Sequence, residues 1–233
     1  MAPLLNVAGL QAWYGESHIL HGVDLHVNAG ETICILGRNG MGKTTTLRTI
    51  MGILSKRTGK IEFDGTDLMQ IALHKTARAG VGFVPEERGI FATLSVQENL
   101  MLPPKVADGG MTVDEIYSLF PNLKERRNSP GTKLSGGEQQ MLAMARILRT
   151  GAKCLLLDEP TEGLAPVIIQ AIGDVLRELK SRGMTVVLVE QNFRFASKVA
   201  DRFYVMDHGQ MVAEFPVGDL PNQMTMLNET LGV

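Results

Sequence analysis

A glycine-rich segment between an apolar run and a helical pattern constrains the fold more than any other feature. It comprises Gly37, Arg38, Asn39, Gly40, Met41, Gly42, Lys43 and Thr44. The spacing of its glycines, Lys43 and Thr44 matches the full phosphate-binding loop pattern, which requires a strand before it and a helix after it. The apolar run Thr32–Leu36 predicts a strand buried on both faces, and residues 43–51 predict the helix. The sequence therefore predicts an α/β core.

The residue types in this segment, here called the phosphate loop, fit nucleoside triphosphate binding. Its glycines leave backbone N–H groups free to close around phosphates, and the helix N-terminus adds positive potential there. Lys43 is expected to reach the β- and γ-phosphates, and the Thr44 hydroxyl to bind Mg²⁺. Thr45 is assigned to the same nucleotide-binding set. A chance glycine-rich turn is the alternative, and the agreement of strand, Lys and Thr argues against it.

Two carboxylates follow the apolar strand predicted over residues 153–157. A strand of this kind delivers Asp158 and Glu159 to the carboxyl edge of a sheet, where ligands bind in open α/β folds. Asp158 suits a direct or indirect role toward Mg²⁺, and Glu159 suits the acceptance of a proton from the attacking water. Solvated carboxylates at a strand end are the alternative, and the accompanying phosphate loop favours the catalytic interpretation.

The remaining patterns predict one domain with two additions. Residues 23–27 alternate between apolar and polar, as in a half-buried antiparallel strand, and residues 60–63 with their Asp64-Gly65 turn predict an exposed strand pair. Residues 96–150 read as a helical lobe inserted into an α/β core of residues 1–95 and 151–233. In the second part, Pro166–Ser181 predicts a helix whose apolar face is core. Residues 184–189 and 203–206 are expected to complete the sheet.

A second glycine-containing segment opens a helix inside the lobe. This signature segment, Leu134–Gln140, contains Ser135, Gly136, Gly137 and Glu138. Ser135 and Glu138 form a capping-box pattern, so a plain helix start is a fair interpretation. The two glycines favour more, because they leave N–H groups at the helix end open to an anion.

In their order and spacing, these three segments resemble the nucleotide-binding domain of ABC transporters. The resemblance covers essentially the whole chain. It implies that two such domains pair head to tail, so that Ser135, Gly136, Gly137 and Glu138 of one close over the ATP held by the other. It also implies that Tyr14 stacks on adenine. Glu86 is then expected to coordinate Mg²⁺ and to begin the segment that senses the membrane subunit.

Four further segments resemble the ATPases of bacterial branched-chain amino acid importers, and ATPases of urea or short-amide importers look similar. The segments are residues 37–43, 84–91, 161–166 and 189–192. The resemblance implies Mg²⁺-dependent ATP hydrolysis that drives uptake through separate permease subunits, with a periplasmic solute-binding protein as an indirect partner. The transported solute is set by those other subunits, and the direction of transport rests on the resemblance.

Three residues depart from the common ABC pattern. Glu86 stands in place of Gln, Ala165 in place of Asp, and Gln191 in place of a His that contacts the γ-phosphate. Gln191 is still expected to serve with Lys43 and Glu159 in catalysis, although an amide carries neither a proton nor a positive charge. One hypothesis is therefore a heterodimer with a different ATPase chain that bears the His; a homodimer remains the alternative.

Composition narrows the partners. The net charge of −2 gives no basic face of the kind that binds nucleic acid. No signal peptide or membrane-spanning run is evident, so a location on the cytoplasmic face of the plasma membrane is expected.

Two functions other than transport-coupled ATP hydrolysis stay open. A non-transport ABC ATPase usually carries a long coiled-coil insertion or a second cassette. In a non-hydrolysing clamp, ATP only closes the dimer; Glu159 argues against this alternative, whereas Gln191 and Ala165 keep it open.

Overall fold

The computed structural model describes residues 2–232, within which the chain forms ten strands and nine α-helices. The strands are β1 Leu5–Tyr14, β2 Ser17–Val27, β3 Thr32–Leu36, β4 Arg57–Phe63, β5 Thr66–Asp67, β6 Val81–Val84, β7 Cys154–Asp158, β8 Thr185–Glu190, β9 Arg202–Asp207 and β10 Gln210–Pro216. The helices are α1 Lys43–Met51, α2 Leu73–Ala79, α3 Val96–Met101, α4 Val113–Leu119, α5 Pro121–Glu125, α6 Gly136–Leu148, α7 Pro166–Ser181, α8 Phe193–Ala196 and α9 Leu220–Leu231.

A six-stranded sheet carries the phosphate loop at its carboxyl edge. Its strand order is β10-β9-β3-β8-β7-β6, and all neighbours are parallel except β10 with β9. Every residue of β3, β7 and β8 is buried, as expected for central strands covered on both faces. The phosphate loop leaves β3, and the Asp158-Glu159 pair lies at the end of β7. Since β8 separates these two strands, its last residue, Glu190, lies between them.

A second sheet, of order β2-β1-β4-β5, is antiparallel and packs against the core sheet. Burial alternates along β1 and β2, which confirms the half-buried antiparallel strand predicted over residues 23–27. The prediction that residues 60–63 form part of an exposed strand pair is wrong for one face of β4, because Ile61 and Phe63 on that face are fully buried. Their side chains join the apolar cluster between the sheets, and the alternating polar residues face solvent.

The chain between β6 and β7 is helical. Helices α3, α4 and α6 each begin with a capping box, built by Ser95 with Glu98, Thr112 with Glu115, and the predicted Ser135 pair. Within this part of the described chain, strand-like pairing is limited to a single bridge between Ser95 and Pro130. The predicted fold class, an α/β core with an antiparallel β subdomain and an inserted helical subdomain, is confirmed. The exact boundaries at residues 95/96 and 150/151 stay a prediction.

Two local predictions near the C-terminal end have different outcomes. Helix α7 has the predicted bounds, and Ile172, Val175 and Leu179 are core residues, whereas Ile168 is only partly buried. The expectation that residues 203–206 complete the sheet is wrong, because β10 pairs antiparallel with β9 beyond them. Val212 is exposed in β10, so this edge strand lacks the continuous apolar run of its neighbours.

The described residues contain no helix that is both long enough and apolar enough to span a membrane. Cys34 and Cys154 are free thiols and both are buried, as predicted. Burial raises the pKa of the Cys154 thiol to about 12, and burial also holds the pKa of the Cys34 thiol well above its usual range. Both thiols are therefore expected to stay protonated and unreactive.

Candidate nucleotide-binding and hydrolysis site

The phosphate loop passes too close to its neighbours for larger side chains at two of its glycines. A Cβ on Gly37 would lie 2.7 Å from the backbone oxygen of Met206, and Gly42 has φ +107° directly before α1. The left-handed conformation of Gly42 turns the chain into the helix, where residues with side chains would be strained. This turn aims the N-terminal N–H groups of α1 at the loop, the arrangement that favours an anion.

Lys43 lies folded back into the loop. It is 4% exposed, and its Nζ donates to the backbone oxygens of Gly37 at 2.8 Å and Arg38 at 3.1 Å. A third contact joins Nζ to Glu159 Oε1 at 3.0 Å. The ammonium group is thus held where phosphate oxygens would have to enter, and a bound phosphate would have to compete with Glu159 for it.

Glu159 occupies an unusual backbone conformation. Its φ is +44°, a value that non-glycine residues adopt rarely and at some energetic cost. Its backbone N–H donates to Val189 O at 3.0 Å, which ties the residue to the end of β8. The fold therefore holds this carboxylate toward Lys43 at the carboxyl edge of the sheet.

Asp158 and Thr44 form the part of the site suited to a cation. Thr44 Oγ1 donates to Asp158 Oδ1 at 2.8 Å, while the buried Asp158 Oδ2 has no hydrogen-bond partner in the described chain. Burial, with smaller contributions from Glu159 and Glu86, raises the pKa of Asp158 to about 6 against the opposing hydrogen bond from Thr44. An orphaned carboxylate oxygen beside a hydroxyl fits Mg²⁺, which prefers oxygen ligands.

A pocket of about 340 Å³ lies over the loop. Its lining residues are Tyr14, Ile19, Asn39, Gly40, Gly42, Lys43, Thr44, Thr45, Glu86, Glu159 and Glu162. Tyr14 is 45% exposed at the end of β1, so its ring is free to meet a planar base. The structure therefore brings half of the predicted nucleotide and catalytic residues to one cavity.

Glu86 is largely exposed two residues after β6, and its partial burial together with Glu162 and Glu159 raises its pKa. No group of three or more His, Cys, Asp or Glu side chains in residues 2–232 is arranged to hold a metal. A Mg²⁺ ion here would therefore depend on phosphate and water oxygens as well as on Asp158 and Thr44. The role of Glu86 as a ligand stays a prediction.

The signature segment lies apart from this pocket. Ser135 and Glu138 make the predicted capping box, with Ser135 N donating to Glu138 Oε2 at 2.8 Å and Glu138 N donating to Ser135 Oγ at 3.3 Å. Ser135 is exposed, Gly136 is half-buried and Gly137 is packed against Ile168. Among the described residues, none of the four assigned to this segment lines the pocket over the phosphate loop.

Gln191 is exposed directly after β8 and is likewise outside the pocket lining of the described chain, as are Arg38 and Met41. Glu190, for which the sequence predicted no role, is 2% exposed and bonded to Thr161. A charged residue closing an otherwise apolar strand was the signal that could have found it, by the same argument that singled out Asp158.

The fold and this site define a nucleoside triphosphatase of the phosphate-loop class. Comparison with known proteins makes the identification specific. The family model described as ABC transporter matches residues 20–162. The high-affinity branched-chain amino acid transport ATP-binding protein BraG of Pseudomonas aeruginosa is 41% identical over 212 residues, covering 90% of this chain and 91% of that protein.

Two other similarities agree. The lipopolysaccharide export system ATP-binding protein LptB of Haemophilus influenzae is 33% identical over 90% of this chain and 89% of its own length. A solved structure of an ATP-binding subunit of an ABC transporter superposes with a TM-score of 0.80 at 26% identity, covering 98% of this chain and 96% of that one. The chain belongs to the ABC transporter family as an ATP-binding subunit, and it is an ATPase.

Proposed function

We propose that this chain hydrolyses Mg²⁺-bound ATP to drive import of branched-chain amino acids or a related small solute. The hydrolytic part of this proposal rests on one observation, the convergence of Lys43, Glu159 and Thr44 at the pocket over the phosphate loop, with Asp158 bonded to Thr44. The solute class is supported by residues 84–91 and 161–166, which resemble segments of branched-chain amino acid importer ATPases. The similarity of the whole chain to BraG supports it as well.

Different residues would bind the adenine base and the phosphates of ATP. Tyr14 would stack on the adenine ring, while the loop N–H groups and Lys43 would hold the phosphates. Entry of the γ-phosphate would draw Lys43 Nζ away from Glu159, because phosphate oxygens carry more negative charge than one carboxylate. Glu159 would then be free to orient a water molecule.

In the chemical step, Glu159 would accept a proton as the water oxygen attacks the γ-phosphorus and the bond to the β-phosphate oxygen breaks, releasing ADP and phosphate. Lys43 would balance charge on the transferred group. Thr44 and Asp158 would hold Mg²⁺, which neutralises charge on the β- and γ-phosphates. Gln191 would donate a hydrogen bond from the neighbouring loop, and it cannot supply a proton as a His could.

A second ATPase chain is part of the proposal. Since the signature segment does not line the pocket over its own phosphate loop, it would contact the ATP of a partner chain in a head-to-tail dimer, either a second copy or a different subunit. Membrane permease subunits and, through them, a periplasmic solute-binding protein would complete the transporter. The chain would then lie peripherally on the cytoplasmic face of the membrane.

Export is the second candidate, because LptB serves a lipopolysaccharide export system and is also similar over most of this chain. Reconstitution with candidate permease subunits, followed by measurement of ATP-dependent uptake of labelled leucine, of urea or of short amides, would separate these roles. Vesicles that accumulate none of them would refute the import assignment without affecting the ATPase.

The first experiment is steady-state ATP hydrolysis by the purified full chain with and without Mg²⁺, using Glu159→Gln as the variant and Glu162→Gln as the matched control from the same pocket. We expect the loss of turnover in Glu159→Gln to be at least on the order of a hundredfold, with ATP binding retained. Glu162→Gln is expected to stay within about threefold of the wild type. Equal losses in both variants would contradict the assignment of Glu159.

ATP binding without turnover in the wild-type chain would mean that a second ATPase chain or the permease must complete the site. Turnover by the chain alone would instead require a homodimer, at least transiently. The same assay therefore also tests the heterodimer hypothesis.

A further inference from the structure

Glu190 is a buried carboxylate in the centre of the core sheet for which neither nucleotide binding nor proton transfer provides a role. It closes β8, where it pairs in register with Leu36, the last residue before the phosphate loop. The residue before it, Val189, pairs with Asp158 on the other side and accepts the N–H of Glu159. Glu190 therefore lies directly behind the hydrolytic site and outside the pocket.

Its two carboxylate oxygens bond to two different loops. Oε1 accepts the Thr161 hydroxyl at 2.7 Å and the Thr161 N–H at 3.3 Å, and Oε2 accepts the Asn192 N–H at 3.1 Å. Thr161 lies two residues after Glu159, and Asn192 directly follows Gln191. One side chain thus spans the segment that carries the proposed base and the segment that carries the proposed γ-phosphate contact.

All three partners are donors, which defines what the position requires. A carboxylate has acceptor lone pairs on both oxygens, whereas an amide has one acceptor oxygen and an NH₂ group that only donates. In a Gln at this position, one end would retain Thr161 while the other would face the Asn192 N–H with a second donor. A buried N–H would then lose its partner, and the loop would have to move.

We infer that Glu190 is a positioning residue of the hydrolytic site, one that fixes the Glu159 segment and the Gln191 segment relative to each other. It acts through Thr161 and Asn192 and does not contact ATP. The inference rests on the proposed role of Glu159, since there is a catalytic geometry to hold only if that carboxylate works on the water. Small displacements of a catalytic group cost rate more than they cost binding.

The test compares Glu190→Gln with Thr161→Val and their double variant in the full chain, assayed in the assembly in which the wild type turns over. We expect Glu190→Gln to lower kcat on the order of tenfold with the KM for ATP within about twofold. Thr161→Val is expected to lower kcat by roughly threefold, because its N–H bond remains. The double variant is expected to be no slower than Glu190→Gln, since both changes break the same link.

Glu31→Gln is the matched control. Glu31 is a half-buried carboxylate that, like Glu190, is held by hydrogen bonds; it pairs with Arg202 at 2.8 Å but precedes β3, at the opposite end from the phosphate loop. The Glu31→Gln variant is expected to have a lower melting temperature and an unchanged kcat. A merely structural role of Glu190 would give this same pattern, which would overturn the inference.

Other outcomes are equally decisive. A wild-type kcat in Glu190→Gln, a change confined to KM, or multiplicative losses in the double variant would each overturn the inference. Should Glu190→Gln not fold, Thr161→Val alone still decides the question, because wild-type kcat in that variant would exclude a link through Thr161. Retained turnover in Glu159→Gln would instead refute the proposed base, so the two failures are distinguishable.

Discussion

The phosphate loop and the signature segment are both glycine-containing helix starts, but they differ in burial and in the residues to which they are bonded. In the loop, Lys43 is buried and bonded to Gly37, Arg38 and Glu159 of the same chain. In the signature segment, Ser135 is exposed, and its capping contacts join only neighbouring residues. The first lines the pocket, whereas the second does not. This difference is the reason that we propose a dimer, in which the signature segment of one chain would contact the ATP of the other.

The largest expected effect comes from breaking the internal contacts of the loop. Lys43→Ala removes the positive charge that would hold the β- and γ-phosphates and leaves Glu159 without its cation, so the pocket becomes repulsive toward ATP. We expect affinity for a fluorescent ATP analogue to fall on the order of a hundredfold in the isolated chain. The control is Lys153→Ala, which removes an exposed lysine paired with Asp64. Binding within threefold of the wild type in Lys43→Ala would contradict the comparison.

A smaller effect is expected at the signature segment, and only after assembly. In Gly137→Ala the new Cβ would lie 2.6 Å from Ile168 Cγ2, so α6 would have to move away from α7. We expect ATP hydrolysis by the assembled dimer to fall about tenfold, with ATP binding by the isolated chain unchanged.

Gly218→Ala is the paired control for that variant, because Gly218 lies between β10 and α9, outside the proposed site, and its Cβ would meet no atom within 4 Å. It is expected to retain most of the activity. If ATP binding by the isolated Gly137→Ala chain fell as much as ATP hydrolysis by the assembled dimer, the phosphate loop and the signature segment would not be independent.

The smallest effect concerns stability and pH. Burial, with a smaller contribution from Glu159, raises the pKa of Glu190 from 4.5 to about 7 and outweighs the bonds to Thr161 and Asn192, which lower it. A raised carboxyl pKa gives stability that is present below the unfolded value and lost as the pH rises through the folded value. Wild-type stability is therefore expected to decline between about pH 4.5 and 7 from this group.

The Gln in Glu190→Gln does not titrate, so the variant does not lose this part of its stability as the pH rises. The melting temperature of the variant minus that of the wild type is therefore expected to be a few degrees higher at pH 8 than at pH 5. The other ionisable groups near this position, Glu159, its partner Lys43 and the Cys34 thiol, are the same in both proteins. Calorimetry at the two pH values checks the sign. A constant difference in melting temperature would show that Glu190 does not titrate in this range.

Local patterns in the sequence determined much of this protein. The phosphate loop, its flanking strand and helix, the Ser135 capping box and the bounds of α7 each depend on a few adjacent residues, whose periodicity and capping chemistry act over short distances. The same is true of Asp158 and Glu159 at the end of an apolar strand. These segments were predictable because the interactions that form them are encoded close together in the chain.

Tertiary structure alone decided which of these segments meet. The contact of Lys43 with Glu159 and the position of Glu190 behind it both follow from a strand order that places β8 between β3 and β7. Strand order and the edge strand β10 depend on long-range packing and on backbone hydrogen bonds between distant segments, which no local periodicity records. The sequence thus determined the parts of the site, and the sheet determined their arrangement.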